Sequence, residues 1–383
     1  MKQMGLYLHI PFCMRKCAYC DFLSAPADEA VREAYVQRLI QEMKVYSGPY
    51  ADFTVNTVFF GGGTPSILSA GQLTRLLAAV HENFRLGPGA EITVECNPGT
   101  LSFEKAVALR EGGANRLSLG LQSAKDSELK ALGRIHTFRE FLESFCLARR
   151  AGFANINVDL MSALPGQTPQ SWEETLRIVS GLRPEHISAY SLIIEETTPF
   201  WERYHSDEEA RSRGETPKNL PSEEEERAMY ESTEAILSTY GYHRYEISNY
   251  ARSGFECRHN TGCWTRENYL GLGIGAASLI ENVRFSNTAS LSEYLNQPFH
   301  TVDTEVLSKE DRMEEFMFLG LRLIRGVLAA DFHNQFGQAI EEVYGAVIRE
   351  FTGKGLLQTE GDRIALTKEG LNLANTVFAA FLF

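Results

Sequence analysis

The sequence has an excess of acidic over basic residues, no long apolar run and no disulfide-like spread of cysteines. Each absence excludes a class of protein. Its 37 Lys and Arg residues against 50 Asp and Glu residues give a net charge of −13. Such a chain repels nucleic acid and anionic lipid unless it keeps a local basic patch, so no nucleic-acid partner is expected. No run of about 18 uncharged apolar residues occurs, and no transmembrane segment is expected.

The N-terminal sequence MKQMGLYLHIP has neither a long apolar core nor a small-residue cleavage site, so we expect no signal peptide. The seven cysteines are odd in number, and three of them crowd into positions 13 to 20. That arrangement does not suit a secreted disulfide framework. We therefore expect a cytoplasmic, reducing environment, where clustered cysteines bind metal or do redox chemistry more often than they form disulfides.

The 383 residues predict one large domain and a smaller one. Short apolar runs rich in β-branched residues alternate with stretches of helical periodicity, which indicates βα units on a parallel sheet. The runs are 6–10, 55–60, 91–95, 116–120, 156–161 and 186–193, and the helical stretches are roughly 28–47, 70–84, 102–112, 137–151 and 170–182. Six repeats predict an α/β fold with a partial (β/α)6 barrel, whose chemistry lies at the C-terminal ends of the strands.

The remaining sequence predicts two further regions after a barrel over 1–200. Residues 201–302 form a connector, in which the polar stretch 202–222 is expected to be a loop or lid. Ser222 and Glu225 form a capping-box signature for a helix through Thr239, and Glu223–Glu226 are interpreted as its solvated first turn.

Residues 303–383 are predicted to form a small C-terminal domain. Helices are expected near 308–325 and 338–353, followed by two short strands around Gly361 and a closing helix to Phe383. This order resembles a winged helix. Residues 306–383 hold 8 basic and 11 acidic residues, a net charge of −3, and no basic helix face. A structural or protein-docking role is therefore favoured over DNA binding.

Cys13, Cys17 and Cys20 form a C-x3-C-x2-C run directly after the first predicted strand. Three thiolates on one short loop suit three irons of a [4Fe–4S] cube and leave the fourth iron free to chelate a small molecule. Two alternatives remain open. One is a zinc site completed by His9 or a distant side chain, although structural zinc prefers paired C-x2-C spacings. The other is three structural cysteines.

This run resembles the signature of the radical SAM superfamily, in which an aromatic residue precedes the last cysteine, as Tyr19 does here. The resemblance implies that the free iron binds S-adenosylmethionine (SAM) and that the reduced cluster cleaves it to methionine and a 5′-deoxyadenosyl radical. It also implies that a glycine-rich loop meets the methionyl amino group. Here that loop contains Gly62, Gly63 and Thr64.

Four further polar residues lie at or near the ends of predicted strands and suit the ribose hydroxyls and the charged methionyl group. They are Glu95, Gln122, Arg134 and Asp159. Asp159 stands within an apolar run, so its carboxylate needs a partner. Tyr19 and Tyr7, the latter at the start of the motif that leads into the cysteines, complete the predicted SAM set.

Motifs along nearly the whole chain resemble the HemN/HemW group, which contains oxygen-independent coproporphyrinogen III dehydrogenases and haem chaperones. They are YLHIPFC from Tyr7, VFFGGGTPS from Val58, NPGT from Asn97, LSLGLQS from Leu117 and LPGQT from Leu164. The dehydrogenases carry a fourth cysteine two residues after the third and a long N-terminal extension. Here that position is Phe22, and six residues precede Tyr7. Both differences favour the haem-chaperone branch.

The chaperone branch also carries an H-N-x-x-Y-W motif implicated in haem handling. Here it reads HNTGCW from His259, with cysteine in place of the usual tyrosine. The resemblance makes His259 a candidate haem ligand, and Cys263 and, more weakly, Cys257 are possible haem-side residues. Cys96 and Cys146 are interpreted as core or near-core residues. The stretch GLGIGAAS from Gly271 lacks the final glycine of a dinucleotide fingerprint, and we expect close backbone packing there.

Three hypotheses follow. The first is a haem chaperone that holds haem, a [4Fe–4S] cluster and SAM, and passes haem to an acceptor protein such as a membrane-associated respiratory protein. The second is a radical SAM enzyme that oxidatively decarboxylates coproporphyrinogen III. The third keeps the cluster only as a structural element or redox sensor of the chaperone.

Overall fold

A computed structural model describes residues 2–383 and contains a twelve-stranded sheet built around parallel strands. The six strands of the expected barrel are adjacent and parallel. They are β1 (Lys2–Ile10), β2 (Phe53–Gly62), β3 (Leu86–Cys96), β4 (Arg116–Gln122), β5 (Ile156–Ser162) and β6 (His186–Ser191). The sheet continues at both ends with β7 (His243–Arg244), β8 (Asn249–Ala251), β9 (Tyr269–Leu272), β10 (Ala277–Ile280), β11 (Val283–Asn287) and β12 (Thr301–Val306).

Helices connect the parallel strands, as the periodicity predicts. The first six are α1 (Glu29–Ser47), α2 (Ala70–Asn83), α3 (Phe103–Glu111), α4 (Asp126–Ala131), α5 (Phe138–Arg150) and α6 (Pro169–Gly181). Ser102 caps α3 by accepting a hydrogen bond from the Lys105 N–H. The α/β partial barrel is confirmed. In addition, β9 lies parallel to β1 as a seventh parallel strand.

The parallel strands are buried on both faces, but the two faces differ in chemistry. On β1, Leu6, Leu8 and Ile10 belong to the apolar core that the surrounding helices cover. The intervening Tyr7 and His9 lie on the opposite face, because successive side chains of a strand alternate. The inward face of the barrel is therefore largely polar, and this face carries the site described below.

The prediction of a loop or lid over 202–222 is wrong for its first half, where α7 (Pro199–Ser212) forms. Thr198 caps this helix and Pro199 occupies its first turn, so its start is well specified despite a polar composition. Residues 213–222 return as a loop, held by Asp207, whose carboxylate accepts hydrogen bonds from three backbone N–H groups. The polar composition reflects an exposed helix and not a lid.

The capping box at Ser222 and Glu225 is confirmed and opens α8 (Glu223–Thr239). Its first turn contains four glutamates, of which three are exposed and Glu226 is half-buried. Two short helices complete the connector, α9 (Arg258–Trp264) and α10 (Leu291–Asn296). The helix α9 was not anticipated. It contacts β2 of the barrel and the first helix of the C-terminal module.

The C-terminal residues pack around an apolar cluster of their own. This module contains α11 (Lys309–Gly320), β13 (Val327–Leu328), α12 (Ala329–Phe336), α13 (Ile340–Gly353), β14 (Leu357–Glu360), β15 (Arg363–Leu366), α14 (Lys368–Asn372) and α15 (Ala374–Ala379). The hairpin of β14 and β15 turns at Gly361, whose φ is 63°, so the expected wing is confirmed. The prediction of a single closing helix is wrong, because two short helices form there instead. No helix in residues 2–383 combines the length and apolar character needed to cross a bilayer.

A buried carboxylate joins the module to the rest of the chain. Glu315 on α11 forms ion pairs with Arg266, at 2.7 Å, and with Arg284 on β11, at 2.5 Å. Glu315 and Arg266 are almost entirely buried, so their charges depend on each other for compensation.

Removing this carboxylate is expected to loosen the module. Glu315→Ala leaves the Arg266 guanidinium buried without a counter-charge, which typically costs about 3–5 kcal/mol. We expect a lower free energy of unfolding and faster amide hydrogen exchange in α11. Glu310→Ala, at an exposed position of the same helix, is the matched control. Equal stability of the two variants would contradict this role for Glu315.

Candidate functional site

The three clustered cysteines lie on a loop between β1 and α1 that neighbouring segments hold in place. The loop begins where the Cys13 N–H donates to the Ala25 carbonyl at 3.2 Å. The Cys20 N–H donates to the Cys17 carbonyl at 3.2 Å, which closes a turn between the last two cysteines. Arg15 donates to the Gly133 carbonyl at 2.7 Å. The loop is thereby tied to the segment that carries Arg134.

One cavity of about 340 Å³ brings together most of the predicted site residues at the C-terminal ends of the strands. Its lining includes eleven of the thirteen residues predicted from the sequence: Cys13, Cys17, Tyr19, Cys20, Gly62, Gly63, Thr64, Glu95, Gln122, Arg134 and Asp159. A cavity of this volume lies within the range of small-molecule sites, roughly 300–1,000 Å³. Tyr7 and His259 are the two predicted residues outside the lining.

The glycine-rich loop at the end of β2 approaches the cysteine loop closely. Gly62 has a φ of 108°, a conformation that favours glycine, and a Cβ there would lie 2.6 Å from the His9 ring. A Cβ at Gly63 would lie 2.7 Å from the Phe12 carbonyl oxygen. Both positions therefore require glycine for the backbone to reach the cavity.

A hydrogen-bond network joins the glycine-rich loop to two of the cysteine sulfurs. Thr64 Oγ1 lies 3.5 Å from Cys13 Sγ and accepts a hydrogen bond from Asn97 Nδ2 at 2.7 Å. Arg134 Nη2 donates to Asn97 Oδ1 at 2.8 Å, and its Nη1 lies 3.6 Å from Cys17 Sγ. Donors aimed at sulfur stabilise the thiolate and tune a cluster that the thiolates bind. Asn97 was missed as a site residue, although the NPGT motif contains it.

The end of β4 is irregular where it meets the cavity. Gln122 has a φ of 75°, and the register with β5 shifts between Gly120 and Gln122. A Cβ at Gly120 would lie 2.9 Å from Asn97 Oδ1, so a larger residue would fill this part of the site. Positive φ at a non-glycine residue costs energy and occurs mostly where function requires it. The side chain of Gln122 accepts a hydrogen bond from Tyr190 at 3.1 Å.

Two carboxyl groups face the cavity, and burial affects both. Burial and, to a smaller extent, the charge of Asp159 raise the pKa of Glu95 to about 8. Burial also raises the pKa of Asp159, although Asn157 at 2.7 Å and Ser118 at 3.0 Å donate hydrogen bonds to it. These donors are the partners that the sequence required for Asp159. Burial thus favours the neutral form of both carboxyl groups in the ligand-free protein.

The residues of the cavity fit a cluster and a charged ligand. The buried Arg134 Nε–H has no hydrogen-bond partner, and a buried donor of this kind costs free energy until a ligand meets it. Among residues 2–383, no three His, Cys, Asp or Glu side chains converge tightly enough to hold a single metal ion. A [4Fe–4S] cube does not need such convergence, because it takes each thiolate on a separate iron.

His259 lies inside the barrel and not in a polar surface loop. Its Nδ1 is 2.9 Å from Thr57 Oγ1, and its ring stacks on Phe59 with the centroids 5.1 Å apart. Burial lowers the pKa of His259 to about 4, so the ring is neutral at pH 7. Tyr7 lies nearby and hydrogen-bonds to His9 Nδ1 at 3.1 Å. Haem ligation by His259 stays a prediction.

The other cysteines and the second glycine-rich stretch fall outside the cavity. Cys96 is buried, as expected, but Cys146 is exposed, so its interpretation as a core or near-core residue was wrong. It lies on the outer face of α5, beside the buried Phe145. Cys257 is buried and Cys263 half-buried. Gly271 and Gly273 pack closely against backbone and side-chain atoms, which confirms the expected close packing.

Comparison with known proteins defines the class of this chain. The family model of the radical SAM superfamily matches residues 7–179, and that of the HemN C-terminal domain matches residues 307–373. The solved structure of Escherichia coli coproporphyrinogen III oxidase (HemN), a radical SAM enzyme, superposes with a TM-score of 0.84. The match covers 99% of this chain and 90% of that chain at 24% identity, and it shows the shared fold. The fold is that of the radical SAM superfamily.

Curated relatives define the family more narrowly. The Heme chaperone HemW of Lactococcus lactis is 39% identical over 383 residues, which span 100% of this chain and 98% of the relative. Those of Bacillus subtilis and Escherichia coli are 38% and 32% identical, over 98% and 99% of this chain and 98% of each relative. The chain belongs to the HemW family of heme chaperones. Membership of the radical SAM superfamily implies a [4Fe–4S] cluster and SAM.

The raised pKa of Glu95 predicts a pH-dependent stability of the SAM-free protein. Unfolded chains ionise Glu95 near pH 4.5, whereas the folded protein holds the proton to about pH 8, so stability falls as pH rises between these values. One pKa unit corresponds to about 1.4 kcal/mol. Glu95→Gln stays neutral, so its stability relative to wild type should rise by on the order of 3 kcal/mol from pH 5 to pH 8.

Urea unfolding of wild type and Glu95→Gln from pH 5 to pH 8 measures the difference in their free energies of unfolding. Glu104→Gln, at an exposed position of α3, is the control and should show a constant difference from wild type. A constant difference for Glu95→Gln as well would show that the folded protein does not retain the Glu95 proton.

Proposed function

We propose that this chain binds haem and transfers it to an acceptor protein, and that it holds a [4Fe–4S] cluster and SAM in the cavity at the end of the barrel. The observation that carries the haem proposal is the full-length similarity to relatives named heme chaperones, up to 39% identity. The acceptor is proposed to be a haem-requiring protein, and membrane-associated respiratory proteins are the candidates. The location is proposed to be cytoplasmic.

In this proposal Cys13, Cys17 and Cys20 hold the cluster through three of its irons. When bound, the cluster and SAM supply one-electron chemistry at the open end of the barrel. Arg134 helps to position the cysteine loop, because its guanidinium contacts both the Cys17 sulfur and the Asn97 side chain. Its free Nε–H is then available to a ligand carboxylate.

The other cavity residues are proposed to bind the charged and polar parts of SAM. Gly62, Gly63 and Thr64 offer backbone groups to the methionyl end, and Gln122 and Asp159 face the ribose hydroxyls. Glu95 would release its proton when the cationic ligand enters, because a nearby positive charge lowers the pKa of a carboxyl group. Tyr19 covers the cavity from the cysteine loop, and Tyr7 supports the site through His9.

Replacement of a single cysteine tests the cluster assignment. Cys17→Ala should lose the brown absorbance and most of the iron of anaerobically purified protein, because one iron of the cube loses its ligand. Cys146→Ala removes an exposed cysteine outside the cavity and should retain both, so it serves as the control. Zinc in place of iron in the wild-type protein would overturn the assignment and favour the zinc alternative.

The alternative function is oxidative decarboxylation of coproporphyrinogen III, because the shared fold includes an enzyme named for this substrate. At the position where the resemblance places a fourth cysteine in the dehydrogenases, this chain has Phe22. Its side chain is 69% exposed and borders the cavity.

One experiment separates the two functions. The reconstituted protein is incubated anaerobically with SAM, a reductant and coproporphyrinogen III, and haem binding is titrated in parallel. We expect stoichiometric haem binding and no protoporphyrinogen above background. Protoporphyrinogen formed over many turnovers would overturn the chaperone proposal, and so would absence of haem binding. If SAM is bound without cleavage in either assay, the cluster acts as a structural or sensing element.

A further inference from the structure

A second cavity lies between α9 and the C-terminal module, away from the cluster. This interdomain cleft has a volume of about 470 Å³. Its apolar wall consists of Trp264 from the end of α9, Phe316 from α11, and Leu323, Val327 and Leu328 from the segment that follows. The wall joins aromatic and aliphatic side chains that a flat apolar molecule can cover.

The shape of the cleft depends on two glycines. A Cβ at Gly320 would collide with the Val327 side chain, and a Cβ at Gly326 would collide with the Ile364 carbonyl. Gly326 also has a φ of 64°, which favours glycine. The segment from 320 to 328 therefore packs tightly against β15 and leaves its outer surface open to the cleft.

The polar rim of the cleft carries two arginines without an acidic partner. Arg266 is neutralised by Glu315, but Arg325 and Arg363 form no ion pair within residues 2–383, and the Arg363 guanidinium donates only to the Arg325 carbonyl, at 2.6 Å. The one carboxylate in the lining is Asp331. The rim thus presents two unpaired guanidinium groups, which bind carboxylates in a bidentate manner.

Trp264 adds a further unmet donor. Its Nε1–H is buried and has no hydrogen-bond partner, and the Arg322 guanidinium stacks on its ring at 4.2 Å from the centroid. A buried indole N–H normally finds an acceptor, and this one has none among residues 2–383. Stacking by Arg322 fixes the plane of the ring and keeps the position of the donor defined.

We propose that the interdomain cleft binds the tetrapyrrole cargo, with the macrocycle against the apolar wall and its carboxylates toward Arg325 and Arg363. This inference rests on the proposed function, since haem is a flat apolar ring that bears two carboxylates. Leu323 and Arg325 also line a neighbouring cavity of about 1020 Å³.

The cleft is distinct from the environment of His259. His259 and Trp264 are five residues apart on α9, which corresponds to about 7.5 Å along the helix and about 140° around it. His259 faces the barrel interior and contacts Thr57 and Phe59, whereas Trp264 lines the cleft. One macrocycle cannot contact both rings unless α9 moves.

The lining of the cleft contains no His, Cys, Met or Tyr side chain, the usual ligands of haem iron. Binding in the cleft therefore relies on stacking and on charge, and not on the iron. Such binding suits a protein that must release its cargo, because no iron–ligand bond has to break. It also predicts that iron is dispensable for binding.

Comparison of three ligands tests the proposal on the full-length protein with its cluster. Haemin, iron-free protoporphyrin IX and its dimethyl ester are titrated, and tryptophan fluorescence is followed. We expect haemin and protoporphyrin IX to bind with dissociation constants within about threefold of each other. The dimethyl ester, which lacks the carboxylates, should bind at least about tenfold more weakly.

Variants of the rim complete the design. The double variant Arg325→Ala with Arg363→Ala should bind protoporphyrin IX at least about tenfold more weakly than wild type and should bind the dimethyl ester with unchanged affinity. The double variant Arg325→Lys with Arg363→Lys should recover part of the affinity for protoporphyrin IX. Arg349→Ala with Lys368→Ala is the control, because it removes the same charge from exposed positions of the same module. Arg325 is exposed and forms no side-chain hydrogen bond or ion pair in residues 2–383, so its single replacement also serves as a variant that folds.

The outcomes distinguish this inference from the proposed function. If wild type binds haemin and the rim variants bind it equally well, the cleft assignment is overturned and the haem proposal stands. If wild type binds haemin but not protoporphyrin IX, and His259→Ala loses haemin, the site lies at His259 and the cleft assignment is again overturned. If wild type binds neither tetrapyrrole, the proposed function fails and the cleft assignment fails with it.

Discussion

The alternation of side chains along the parallel strands is the constraint on which the rest of this structure depends. Because one face of each strand packs on helices, the other face of every strand is directed into the barrel. Leu6, Leu8 and Ile10 thus belong to the core, while Tyr7 and His9 belong to the interior of the barrel. Parallel strands also place all their C-terminal ends at one rim. Residues from five of the parallel strands and from the cysteine loop therefore meet in one cavity.

This arrangement has an energetic cost, because it buries ionisable groups. Glu95 retains its proton to about pH 8, and the Arg134 Nε–H lacks a partner. Positive φ at Gln122 adds local backbone strain. In the proposed site, a cationic ligand with a carboxylate would remove these costs. The same features that weaken the ligand-free fold would then favour binding.

The short helix α9 connects the barrel to the C-terminal module. Asn260 lines the cluster cavity, His259 lies in the barrel interior, and Trp264 lines the interdomain cleft. Glu91 on β3 holds the start of this helix by accepting hydrogen bonds from the backbone N–H groups of Arg258 and His259, both at 3.1 Å. The seven residues of α9 therefore contribute side chains to three different environments: the cavity, the barrel interior and the cleft. A ligand in the cleft and a ligand in the cavity at the cysteine loop would therefore contact the same helix.

The sequence by itself determined the six βα units, because strand alternation and helical periodicity are local signals. The spacing of Cys13, Cys17 and Cys20 indicated the cluster loop for the same reason, since three ligands on one loop need no knowledge of the fold. Tertiary structure alone decided the partners of Asp159, the role of Asn97 and the burial of His259. These depend on which strands are neighbours and on where α9 enters the barrel, and such contacts join residues far apart in sequence. The helix at 199–212 was missed because polar composition reports exposure and not conformation. The unpaired arginines of the cleft carry no sequence signal, since an arginine is unpaired only when the folded chain brings no carboxylate to it.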